Sequence, residues 1–98
     1  MADSIKWWDM PIGEQIGNAG SEVARAIRRK NNNDRLGAAQ FCVHAIEMLG
    51  YTKQDPKNAN RRDELTCAQE EILDYIFGDN LYQNDDHSIM KWYDAFLR

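Results

Sequence analysis

Between Gly78 and Ser88 the run GDNLYQNDDHS gathers Asp79, Asn80, Asn84, Asp85, Asp86 and His87. Divalent-metal loops, phosphate-handling sites and simple turns all use such oxygen and nitrogen donors. A calcium loop of the EF-hand kind needs ligands at alternate positions, a central glycine and a closing bidentate glutamate. Counted from Asp79, the glycine and the glutamate are both missing. A di-iron bundle needs paired Glu-x-x-His units, whereas this chain offers one reversed HAIE at His44 to Glu47 and EEILD at Glu70 to Asp74. The sequence therefore predicts no metal site and no cofactor. No nucleophile stands beside a base and no glycine-rich loop follows a strand, so no catalytic residue is assigned.

The chemistry left to these residues is electrostatic. Arg25, Arg28, Arg29, Lys30 and Arg35 form a basic group, while residues 63–90 contain acidic side chains and no lysine or arginine. If the helices run up, down and up, the acidic loop faces the basic turn, and the two orient each other. On this reading Asn80 and Asn84 form turns, Asp85 or Asp86 caps the last helix, and Tyr82 anchors the loop by its ring. As a binding surface the same residues give Arg25, Arg28 and Arg29 to grip phosphate, with Asp79, Asn80 and Tyr82 opposite. In that alternative Asp79, Asp85 or His87 would do acid-base or metal work.

Four helices must position these groups. Ile12, Ile16, Ala19, Val23 and Ile27 recur at steps of three and four, which predicts a helix over 10–31 with Asp9 and Pro11 at its start and Arg28, Arg29 and Lys30 in its last turn. Asp34 is the expected N-cap of a second helix over 34–49, with Ala39, Val43 and Ile46 inward, Cys42 and Leu49 beside them, and Gly50 as its stop. A third over 60–77 starts after Pro56, with Asn60 and Asp63 resembling a capping box, and turns Leu65, Ala68, Ile72, Tyr75 and Ile76 inward. Ile89, Trp92, Tyr93 and Phe96 mark a short last helix over 86–97. The predicted fold is all-α: one domain over 1–98, a small antiparallel helical bundle of three main helices and a short C-terminal one.

Two features ask for partners. Gly13, Gly17 and Gly20 lie along one face of the first helix, where each costs about 1 kcal/mol against alanine. A neighbouring helix must approach the backbone there, either within the bundle or across a homodimer seam. Trp7 and Trp8, with Trp92, Tyr93 and Phe96, either close the end of the core or form a sticky patch. His44 is expected as a partly buried, hydrogen-bonded histidine.

Composition limits the classes. The formal net charge of -4 argues against non-specific nucleic-acid binding, and no apolar run is long enough for a bilayer. The stretch MADSIKWWDMPIG lacks the charged start and apolar core of a secretory leader, and Cys42 and Cys67 lack CxxC spacing. A cytoplasmic protein with two small buried thiols is expected.

The series IGNAGSEVARAIRRK, AIEMLGYTKQDPKN, RRDELTCAQEEILDYIFGDNLY and KWYDAF resembles a family of small all-helical bacterial proteins of uncharacterised function, across nearly the whole chain. That family is similar in kind to HEPN-type helical bundles, which partner nucleotidyltransferase proteins or act as ribonucleases in toxin systems. HEPN ribonucleases carry an arginine, a polar residue, a few spacers and a histidine on one helix. Here the nearest match, Arg35 to His44, has eight residues between. The resemblance implies a helical fold with no assigned chemistry, and a nucleotidyltransferase as a candidate partner. Taken together, the residues predict a non-catalytic, self-associating interaction module, with a HEPN-like phosphate-handling protein as the alternative.

Overall fold

The computed structural model describes residues 6–96. Four α-helices carry the fold: α1 (Ile12–Asn31), α2 (Arg35–Gln54), α3 (Arg62–Ile76) and α4 (Asp86–Ala95), with a 3-10 helix at Pro56–Arg61 between α2 and α3. There is no strand among the described residues, and no helix there is long and apolar enough to cross a membrane. The expected end of the last helix, at 97, lies outside the described residues.

Local chemistry accounts for most boundaries. Pro11 stands at the N-cap of α1, its fixed φ of -61° leading into the first turn. After α1, Asn33 takes a left-handed φ of 62°, which asparagine tolerates, and Asp34 caps α2 by accepting the Gly37 N–H at 2.9 Å. Asp85 and Ser88 make a reciprocal capping box at the start of α4.

Three local expectations are corrected. Helix α2 runs through Gly50 to Gln54, because a glycine with helical neighbours is merely costly, whereas the Asp55-Pro56 pair forbids a further turn. Asn60 and Asp63 form no capping box: Asn60 lies in the 3-10 helix, and the side chain of Arg61, at the N-cap of α3, makes no capping bond. The buried face of α2 is Ala38, Cys42, Ala45, Leu49 and Thr52, leaving Ala39 and Ile46 half-buried and Val43 exposed. Apolar residues surround so much of α2 that spacing alone cannot choose among its faces.

The helices alternate in direction. Gln15 near the start of α1 reaches Asp55 past the end of α2, Gln69 of α3 donates to the Ile46 carbonyl of α2, and Asp86 at the start of α4 meets Asn31 at the end of α1. Helix α4 therefore runs antiparallel to α1 and closes the bundle over it. Between them lies the core of Ile16, Ala19, Val23, Leu49, Leu65, Ile72, Ile89 and Tyr93.

The glycines of α1 are explained by this closure. A Cβ on Gly20 would stand 2.9 Å from the Tyr93 Cβ, and one on Gly13 would stand 3.2 Å from the Phe96 carbonyl oxygen. The close neighbour at Gly13 and Gly20 is thus α4 of the same chain, and a second copy could reach Gly20 only by displacing it. Gly17, between them, lines a shallow depression beside α4.

Trp7 and Trp8 dock elsewhere, on the end of α2. Trp7 Nε1 donates to Thr52 Oγ1 at 2.9 Å and Trp8 Nε1 to the Tyr51 carbonyl at 2.8 Å. Below them is a buried polar hub. Gln15 Nε2 donates to Asp55 Oδ2 and to the Met10 carbonyl, both at 2.9 Å, while Asn58 Nδ2 donates to Gln15 Oε1 and to the Thr52 carbonyl. The DPKN stretch is accordingly a structural joint that ties the chain's head to the α2–α3 connection.

Candidate functional site

The loop of 77–85 is built on α3, not on the basic turn. Asp74 accepts the Leu81 N–H at 2.7 Å and the Tyr82 N–H at 3.1 Å through its two carboxylate oxygens. Tyr82 fixes the loop by its hydroxyl, which donates to Glu70 Oε2 at 3.1 Å, and its ring is exposed. That bond to a carboxylate raises the Tyr82 pKa. Asn80 adopts a left-handed φ of 55° and brackets Asn84, accepting its N–H and donating to its carbonyl. Sequence reading found the asparagine turn and left the cap between Asp85 and Asp86, of which Asp85 takes it; it missed Asp74, whose spacing to Leu81 carries no motif.

Each acidic group here already has a structural occupation, save one. Asp85 caps α4, and bonds from the Ser88 backbone lower its pKa. Asp86 accepts from the Tyr75 hydroxyl and from Asn31, and these bonds, with the Lys30 charge, hold its carboxyl below the usual range. The Tyr75 hydroxyl is pushed up in turn, by burial first and then by Asp86. Asp79 is exposed and takes no part in this network. Among the described residues no three His, Cys, Asp or Glu side chains are grouped so as to hold a metal ion.

The basic residues divide. Lys30 leans over the Tyr75 ring, 4.3 Å from its centroid, so the ends of α1 and α3 do meet. Arg25, Arg28 and Arg29 are not brought to the loop. Arg25 pairs with Glu22 at 3.0 Å, Arg29 pairs with Asp34 at 3.1 Å and covers the Phe41 ring, and Arg28 is exposed. A step of four places Arg25 and Arg29 on the flank of α1 toward α2, away from α3. Among the described residues no ion pair links them to Asp79, Asp85 or Asp86. The basic side chains that do share a recess are Lys30 and Arg35, which with Asn33, Ile76 and Phe77 line about 390 Å³ at this end of the bundle.

His44 is exposed, with its ring edge-on to Phe41. Cys42 is a buried thiol, pushed up to about 11 by burial, but Cys67 is exposed, since Leu65, Ala68 and Ile72 take the inward positions of α3.

Two further surfaces were not legible beforehand. The first is apolar and lies over the seam of α2 and α3. The large apolar side chains exposed among the described residues are Leu36, Val43, Leu73, Phe77, Leu81 and Tyr82, with Leu36 73% and Leu81 81% exposed. The bonds from Gln69 to Ile46 and from Lys53 to Thr66 fix the register of α2 against α3. Helical spacing then sets Leu36, Ala39 and Val43 on the outer flank of α2 beside Leu73 and Phe77 of α3. Tyr82 reaches that flank through Glu70.

The second is a cleft of about 300 Å³ between α3 and α4, lined by Glu64, Cys67, Ala68 and Glu71 on one side and Ser88, Ile89, Trp92 and Tyr93 on the other. Trp92 Nε1 donates to Glu64 Oε2 at 2.9 Å, and Tyr93 is 2% exposed.

Comparison of the chain with protein-family models, with curated proteins and with solved structures finds no match.

Proposed function

We propose that the protein is a non-catalytic helical interaction module that self-associates through the outer face of α2 and α3. One observation carries this reading: Leu36, Val43, Leu73, Phe77, Leu81 and Tyr82 are all exposed, and helical spacing sets Leu36 and Val43 of α2 beside Leu73 and Phe77 of α3. A contiguous apolar patch of this kind marks an interface more often than a bare surface. A second copy is the occupant we assign, since an apolar face can pair with itself across a twofold axis. A HEPN-like relationship, with a nucleotidyltransferase on the same face, is the heteromeric form of this proposal. It rests on the sequence resemblance alone. A cytoplasmic setting belongs to it as well, in keeping with two free cysteines.

Light scattering across a dilution series is the test. The expected result is a dimer at micromolar concentration that Val43→Glu with Leu73→Glu converts to a folded monomer. The mass of one chain at millimolar concentration would overturn the reading.

A second reading is favoured by the recess at the bundle end. Lys30 and Arg35 there, beside the exposed Phe77 ring, suit an anion with a planar body, which is the phosphate-handling alternative moved away from Arg25, Arg28 and Arg29. Titration with a nucleoside monophosphate, followed by the amide shifts of Asn33 and Phe77, would support it if saturable and lost in Lys30→Gln.

A further inference from the structure

The cleft between α3 and α4 combines three features that no other described surface combines. Its walls are apolar, from Ala68, Ile89 and the Trp92 indole. Its α3 side carries two carboxylates, Glu64 and Glu71, two helical turns apart. Tyr93 lines it as well, and the Tyr93 hydroxyl is buried with no hydrogen-bond partner among the described residues. The Tyr93 Cβ and the near edge of its ring lie against Gly20 on α1. Burial first, and then the charges of Glu71 on α3 and Cys42 on α2, raise the Tyr93 pKa.

The two carboxylates are not equivalent. Glu64 is already partly neutralised, accepting from the Trp92 indole and pairing with Arg61 at 3.5 Å. That arrangement holds the indole as a wall. Glu71 is half-buried, and one oxygen accepts from Asn84 Nδ2 at 3.2 Å; no lysine or arginine pairs with it among the described residues. A buried phenol without a partner is rare in native folds and calls for a group that completes it.

We propose that this cleft binds a small primary amine on an apolar or aromatic body, with the ammonium between Glu71 and the Tyr93 hydroxyl and the body between Trp92, Ile89 and Ala68. An ammonium supplies three donors, and a carboxylate oxygen with a phenol lone pair accepts two of them. The indole favours a cation or a second ring near its face. The volume lies at the small end of ligand pockets and admits one or two rings. Anions are repelled by both glutamates, and a neutral alcohol would leave the Glu71 charge unpaired. This site lies on a different face from the proposed dimer surface, and its success or failure leaves that reading untouched.

The test uses the whole chain and three probes of one shape: phenethylamine, phenethyl alcohol and phenylacetate. Binding is followed by the NMR shifts of the Trp92 indole N–H and the Ile89 and Ser88 amides. The amine is expected to give a saturable shift at those positions, with the alcohol much weaker and the acid inactive. Glu71→Gln should weaken the amine at least about tenfold, the loss expected for a charge-assisted hydrogen bond. Tyr93→Phe should weaken it severalfold while leaving the fold intact. Equal shifts from amine and alcohol in the unaltered chain would overturn the proposal without any variant. So would the absence of saturation, or an unchanged affinity in a folded Glu71→Gln protein.

Discussion

Gly20 and Tyr93 touch so closely that a methyl group on Gly20 would stand 2.9 Å from the Tyr93 Cβ. A Cβ is fixed to the backbone, so relief requires a shift of α4 itself. Gly20→Ala is expected to destabilise the fold by about 1–3 kcal/mol, the usual consequence of overpacking. Gly50→Ala is the contrast: its Cβ would meet Gln69 Nε2 at an ordinary 3.6 Å inside a helix. There a gain of about 0.5–1 kcal/mol is expected from the lost glycine entropy. Urea unfolding of both variants checks the pair, and equal signs would refute the packing of α4 on α1.

Acid should loosen the buried joint first. Burial pushes the Asp55 carboxyl up, but hydrogen bonds from Lys57 and Gln15 and the Lys57 charge outweigh it, so its pKa is lowered in the fold. A lowered folded pKa contributes stability above the unfolded value that is lost as pH falls through the folded one. The loss is therefore expected below about pH 4. Asp55→Asn should cost about 1–3 kcal/mol at pH 7 and flatten the acid limb of the stability curve. Asp85 and Asp86, also lowered, should leave a residual slope.

The loop latch can be opened alone. Asp74→Ala removes the acceptor for the Leu81 and Tyr82 N–H groups. Amide exchange at these two residues should accelerate, while Ile16, Leu49 and Leu65 keep their protection, because the core does not depend on the latch. Unchanged exchange at Leu81 would mean the loop is held by Asn80 and Tyr82 instead.

Calorimetric titration with calcium, magnesium, manganese and zinc should give no saturable one-site binding at micromolar affinity. Asp74, Asp85 and Asp86 spend their oxygens on backbone N–H groups, Tyr75 and Asn31, and Asp79 alone cannot complete a coordination shell. Tight binding abolished by Asp79→Ala would contradict this.

Thiol labelling should separate the cysteines. Cys67 is exposed and should react in the native protein, whereas Cys42, buried with its thiol pushed up to about 11, should react only on unfolding. Comparable native rates would place Cys42 outside the core.

What the sequence determined by itself was local. Asp34 before α2, Asp85 before α4, the asparagine turn and the apolar spacing of α1 and α3 act through neighbours a few residues away, so each could be read without the fold. The order of helices followed, and with it an all-α bundle. Tertiary structure decided whatever depends on distant partners. Val43 faces outward because α1 and α3 cover other flanks of α2, a choice that its nearly all-round apolar surface left open. Helix α2 passes Gly50 because the stop lies at Asp55-Pro56, where Gln15, forty residues away, closes the joint. Arg25 and Arg29 turn from the acidic loop because helical phase, not position along the chain, sets which neighbour a side chain meets. The cleft beside Tyr93 exists because α4 leans on the glycines of α1 more closely than on α3.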